Sequence, residues 1–123
     1  MYLRALATLP GFEAHYGKFR QSKEKGSDVN LATRLLVDGF HSKYEQVAIV
    51  SNDADFAGAM RFVKEDLGLR VVLVNPDPKN RSPRDLVDAA TYVKRTWPSH
   101  LRRSQFPAKL TDSAGTITKP ASW

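Results

Sequence analysis

Cysteine is absent from the 123 residues, so neither a disulfide nor a thiolate metal site can form. Any metal would have to be held by oxygen or imidazole. Long apolar runs are missing too: nothing approaches the roughly 18 residues that a membrane-crossing helix requires. The first residues interrupt their apolar positions with Arg4 and then Glu13, which does not fit a signal peptide. A cytoplasmic protein is expected, with no membrane partner. Acid is scarce relative to base, with 13 Asp and Glu against 19 Lys and Arg and a net charge of +6. Such a balance favours a polyanionic partner, because basic side chains gain affinity by releasing the counterions condensed on phosphates. There is no internal repeat and no Gly-rich phosphate loop, which weakens any small-molecule phosphotransfer reading.

The residues that are present suit one compact domain, with 41% hydrophobic and 10% aromatic content. Leu3, Leu6 and Leu9 predict a short helix closed by Pro10-Gly11. Phe12, Ala14 and Tyr16 alternate as a strand would, and the polar, basic stretch 18–26 predicts a loop. An amphipathic helix is expected over 27–40, with Leu31, Ala32, Leu35, Leu36 and Phe40 on its apolar side. Val47-Ala48-Ile49-Val50 and Val71-Val72-Leu73-Val74 are continuous apolar runs rich in β-branched residues, as expected of strands buried on both faces. The helix between them carries Phe56, Met60, Val63 and Leu67 at helical spacing, with Gly68 as its C-cap. Two strands joined by a helix make a right-handed βαβ unit on a parallel sheet. A shorter helix after Ser82-Pro83 and an edge strand near 91–93 complete an α/β architecture in three layers. From Lys109 onward the pattern weakens, and a flexible tail over 109–123 is expected.

In open parallel sheets, functional groups collect at the carboxyl ends of strands. Asp53 and Asp55 directly follow the strand ending at Val50. Carboxylates crowded there repel one another, and a hard divalent cation relieves the repulsion. Asp is equally a favoured N-cap, so Asp53 could simply cap the helix that carries Phe56. Asp28 bears on the choice: on a helical wheel it lies within about 20° of Leu35, which predicts that it faces the interior, where either a metal shared with Asp53 and Asp55 or a buried Lys or Arg would compensate its charge. Lys18, Arg20, Lys23 and Lys25 precede it, either as a solvated loop or as a phosphate-gripping edge. His15 and His41 are isolated; Trp97 and Phe106, near Arg95, Arg102 and Arg103, could stack on bases but fit ordinary packing of the C-terminal segment better.

Glu24-Lys25-Gly26-Ser27-Asp28-Val29-Asn30-Leu31-Ala32, followed by Val47-Ala48-Ile49-Val50-Ser51-Asn52-Asp53-Ala54-Asp55-Phe56, resembles the NYN domain, a LabA-like branch of the PIN-like nucleases. The resemblance runs from about residue 2 to 106. It implies a three-layer α/β/α fold with a mainly parallel sheet over 1–108, and Mg²⁺- or Mn²⁺-dependent cleavage of RNA. Asp28, Asp53 and Asp55 match the family's acidic positions, and so would be its catalytic carboxylates and metal ligands. Lys25, Asn30, Ser51 and Asn52 would contact the RNA. Family members normally begin with a strand ending in an aspartate, often in an Asp-Gly-x-Asn pattern, whereas Met1 here falls within what resembles the following helix. From that difference follow two expectations: a second copy or partner chain that completes the sheet, and, as the alternative function, a catalytically impaired module that binds RNA or protein.

Overall fold

The computed structural model describes residues 2–16, 18–20, 23–77 and 79–121, with the side chains of 18–20 and 23–25 outside that description. The chain divides into two compact units, Gly17–Trp97 and a second formed by Met1–Tyr16 with Pro98–Trp123.

In the first unit, β1 (Lys18–Arg20) and β2 (Lys23–Lys25) pair antiparallel, so much of the loop expected over 18–26 is a short strand ladder. Helix α2 (Ser27–Phe40) leads to β3 (Gln46–Val50). A 3₁₀ turn (Ala54–Phe56) and α3 (Ala57–Glu65) then lead to β4 (Arg70–Asn75). Helix α4 (Arg84–Ala89) and β5 (Tyr92–Arg95) follow. The three strands form one parallel sheet in the order β3-β4-β5, with Ile49 opposite Leu73 and Asn75 opposite Arg95. This confirms the α/β class and the βαβ unit.

Alternation explains the core. Val71 and Leu73 point to one side of β4 and, with Ile49, meet Leu35, Phe56, Met60, Val63, Leu86 and Ala89 from the helices. Six of these, Met60, Val63, Val71, Leu73, Leu86 and Ala89, are fully buried. Gly68 ends the approach to β4 at φ 67°, a left-handed conformation that glycine adopts without a Cβ penalty.

Two burial expectations need correction. Strand β3 is not buried on both faces: Ile49 is covered, but Val50 is 62% exposed. The reason is position, since β3 is an edge strand, while the central β4 keeps Val72 and Val74 half-buried. Along α2, Leu35 is buried and Ala32 and Leu36 pack against the core, yet Leu31 and Phe40 are exposed, as is Asp28. The covered face runs along Ala32, Leu35, Leu36 and Gly39; the first turn of the helix and Phe40, about 140° around it from Leu35, fall outside that face.

Gly39, near the end of α2, is required by a close approach. A Cβ there would lie 2.6 Å from the Tyr44 hydroxyl and 3.1 Å from Leu67. The same hydroxyl donates to the Leu35 carbonyl at 2.6 Å, so the ring is tethered and cannot simply withdraw. Gly39→Ala is therefore expected to destabilise by about 1–3 kcal/mol despite its better helix propensity, read as a lower urea midpoint; an unchanged midpoint would show that the ring yields freely.

In the second unit, α1 (Tyr2–Leu6) and α5 (Pro98–Arg103) accompany an antiparallel hairpin of β6 (Lys109–Asp112) and β7 (Gly115–Thr118). The flexible tail expected over 109–123 is thus corrected: Leu110 pairs with Ile117, which is buried, and Gly115 makes the turn at φ 111°. The hairpin is too short and polar for its alternation to stand out in sequence. Residues 12–16 form no strand and are exposed, and it is Ala5, not Leu3 or Leu9, that α1 buries.

Arg4 grips Asp112 through Nε and Nη2 at 2.7 and 2.6 Å, a two-pronged pair that fixes α1 on the hairpin. Its hydrogen bond lowers the Asp112 carboxyl from 3.8 to about 2. A depressed carboxylate stabilises the fold above its unfolded value, and that contribution disappears as pH falls from about 4 to about 2. Asp112→Asn is expected to lower the melting temperature at neutral pH and to converge on wild type near pH 2. Parallel curves across that window would exclude the linkage.

Candidate functional site

Parallel strands bring all their carboxyl ends to one edge of the sheet, and there a polar network replaces the apolar packing. Its hub is Asn75 at the end of β4, which is 1% exposed and is the one buried polar side chain among the described residues. A buried amide must find partners or lose the hydrogen bonds it made to water. Asn75 finds them on three segments. Its Oδ1 accepts from Asn52 Nδ2 and from the Asp77 amide, both at 2.8 Å, and its Nδ2 donates to the Asn80 carbonyl at 2.7 Å. Its carbonyl accepts from the Thr96 amide at 3.0 Å and from the Thr96 hydroxyl at 3.1 Å. Ser82 closes the circuit by donating to Asn52 Oδ1 at 2.8 Å. The segments that follow all three strands are thereby tied to one residue.

The acidic turn stands on this base. The Asp53 amide donates to Ser51 Oγ at 3.0 Å, and Asp53 Oδ1 accepts from the Asp55 amide at 3.0 Å, capping the 3₁₀ turn. Phe56 is 3% exposed and pins the turn into the core, while Asp53 and Asp55 remain exposed above it. The capping role expected of Asp53 is real, yet a carboxylate has two oxygens and several lone pairs, so one cap bond does not exhaust it.

The remaining sequence-predicted residues fare differently. Asn52 spends both ends of its amide inside the protein and acts as a tether. Ser51 is half-buried under Asp53. Asn30 is exposed on α2. The Lys25 side chain lies outside the described residues. Asp28, expected to face inward, is exposed in the first turn of α2, where nothing described covers the helix. Among the described residues, no three Asp, Glu or His side chains come together in a way that could hold a metal ion.

Asn75 and Ser82 carry the geometry but escaped the sequence reading. The available signal was an Asn-Pro step directly after a buried apolar strand, where a polar residue at a core-facing position demands a partner. Asp77 belongs to the same loop: its Oδ2 accepts from Asn80 Nδ2 at 2.6 Å and its Oδ1 from the Lys79 amide at 2.9 Å. Those bonds, led by the one from Asn80, hold its carboxyl below the usual range.

In donor chemistry the Asp53 and Asp55 carboxylates fit Mg²⁺ or Mn²⁺, hard ions that take oxygen ligands. Mg²⁺ in particular commonly uses one or two carboxylates and completes its shell with water and substrate phosphate.

Comparison with known proteins places the fold. Residues 5–109 match the NYN domain. A relative from Pseudomonas putida (strain DSM 28022 / S16), named 6-hydroxy-3-succinoylpyridine 3-monooxygenase HspA, is 34% identical over 104 residues, covering 82% of this chain. The chain spans about a third, 33%, of the length of that relative. A crystal structure of a protein of unknown function from Vibrio parahaemolyticus RIMD 2210633 superposes with a TM-score of 0.58 at 22% identity, covering 79% of this chain and 57% of that one. At that identity the likeness is one of fold.

Proposed function

The chain belongs to the NYN domain family, with its nuclease-type fold, and on that premise we propose that it cleaves RNA phosphodiester bonds with Mg²⁺ or Mn²⁺ at the carboxyl edge of its parallel sheet. The observation that carries the reading is the pair of exposed carboxylates, Asp53 and Asp55, held on a turn that Phe56 and the Asn75 network fix. Asp53 and Asp55 would hold the ion, which when bound supplies positive charge that activates water near neutral pH and offsets the charge of the phosphate. The Asn75 circuit keeps the turn rigid, so that the carboxylates need not reorganise when substrate arrives. Asp28 lies outside this inner pair.

Family membership alone does not choose the substrate, because the Pseudomonas relative bears a name from pyridine oxygenation. The net charge of +6 is what favours a polyanion. The direct test is incubation of purified protein with a panel of end-labelled RNAs in Mg²⁺, Mn²⁺ or EDTA, resolved on denaturing gels. Cleavage with metal and none in EDTA is expected; RNAs left intact by every metal would refute the reading.

A second reading rests on the absence of a three-acid cluster among the described residues. It makes the domain a non-catalytic module that binds RNA, and the expected result is salt-dependent RNA retention with no turnover in any metal. Cleavage in the same panel excludes it.

A further inference from the structure

We infer that the loop between β4 and α4 is a phosphate clamp, with Arg81 as its principal grip and Lys79 beside it, for single-stranded RNA laid across the carboxyl edge of the sheet. The inference rests on the proposed RNA function and adds residues that charge and motif reading did not single out.

Arg81 is bracketed by two tethers. The carbonyl of Asn80 accepts from buried Asn75 at 2.7 Å, and the hydroxyl of Ser82 donates to Asn52 at 2.8 Å. The second bond also sets its location. Asn52 immediately precedes Asp53 and Ser82 immediately follows Arg81, so the acid and the guanidinium-bearing residue each sit one position from the same contact. On the other side, Asp77 holds the backbone of Lys79 and the side chain of Asn80 at 2.9 and 2.6 Å. A loop secured this way presents Arg81 and Lys79 from a fixed backbone, and both residues are exposed.

An ordinary exposed Arg is often committed to a carboxylate, as Arg84 on α4 is to Asp88 at 3.6 Å. Arg81 makes no ion pair among the described residues. Its planar fork matches two phosphate oxygens, which makes arginine the side chain for orienting a phosphodiester, while lysine adds an undirected charge. The placement has a chemical purpose. Asp53 and Asp55 would repel an approaching RNA backbone, and cations one segment away offset that repulsion and hold the phosphate in register with the acidic turn.

The test reads binding, so that it stands apart from cleavage. Anisotropy of a fluorescein-labelled single-stranded RNA is measured in EDTA across a salt series for wild type, Arg81→Gln, Lys79→Gln and the double variant. Arg70→Gln, at the opposite end of β4, serves as the control, and melting curves verify the fold of each. Each phosphate contact contributes a slope of about 0.7 in log Kd against log salt for single strands, or about five-fold in affinity at 100 mM salt. Arg81→Gln is expected to show that loss and the double variant about twice it in slope, with Arg70→Gln unchanged. Wild-type slopes in the loop variants, an equal loss in Arg70→Gln, or no RNA binding by wild type would each overturn the clamp. If the clamp signature holds while metals leave the RNA intact, the cleavage reading falls and the clamp stands.

Discussion

Asp53→Asn is expected to lower metal-dependent RNA cleavage by about 100-fold or more while leaving the fold intact. The substitution separates the cap that Asp53 forms from the ligand role proposed for it. Its Oδ1 caps the 3₁₀ turn by accepting from the Asp55 amide at 3.0 Å, and an Asn carbonyl oxygen accepts the same bond. Asn and Asp are near-equivalent N-caps, whereas Ala at such a position costs about 1 kcal/mol. Only the negative charge is lost in Asp53→Asn. Asp53→Ala loses both, so it should match the activity defect and also lower the urea midpoint. Kinetics at saturating RNA, with circular dichroism on each variant, distinguish the outcomes. Wild-type turnover by Asp53→Asn would reduce Asp53 to a cap and leave the proposed site without its central ligand.

Asn75→Ala is expected to be among the most destabilising single changes, at about 2–4 kcal/mol, and to disable the edge without touching an acid. The residue is fully buried and bonds Asn52, Asp77 and Asn80 through its side chain. Removing the amide strands those donors and acceptors at about 1–3 kcal/mol for each group left buried and unpaired, less whatever water recovers. The loops after β3 and β4 would then be joined by Ser82 to Asn52 alone among these bonds. Hydrogen exchange should show faster amides at 77 and 79–82, with core amides such as Leu73 following the global loss. If exchange in that loop stayed at its wild-type rate relative to the core, Asn75 would not be the hub.

The elements that fill the core were legible because their patterns are redundant. Phe56, Met60 and Val63 repeat at helical spacing, and Val71 and Leu73 sit in an apolar run rich in β-branched residues, bounded by Gly68 and Asn75-Pro76. Exposure was less legible. Asp28 shares the apolar angle of Leu35, yet angle says nothing about where along α2 the packing begins, and Phe40 lies about 140° around the helix from Leu35, off the covered face. The run 47–50 resembles a central strand, but only sheet order reveals that β3 lies at an edge. The hairpin at 109–118 escaped notice because its pairing depends on a turn at Gly115 and on one apolar pair, Leu110 with Ile117, too little to register as alternation. At the site, the order Ser51-Asn52-Asp53-Ala54-Asp55 and the strand before it were readable. The loop that answers them, 75–82, was not, since its partners lie 23 and 30 residues away in sequence.

The proposed metal site at the carboxyl edge of the sheet can be tested directly by titrating Mn²⁺ into ¹⁵N-labelled protein. The ion's paramagnetism broadens amides near it before all others. Resonances of residues 51–56 are expected to disappear first, those of 75–82 next, and none selectively in Asp53→Asn. Uniform broadening, or broadening centred on another carboxylate such as Asp112, would contradict a metal site at the carboxyl edge of the sheet.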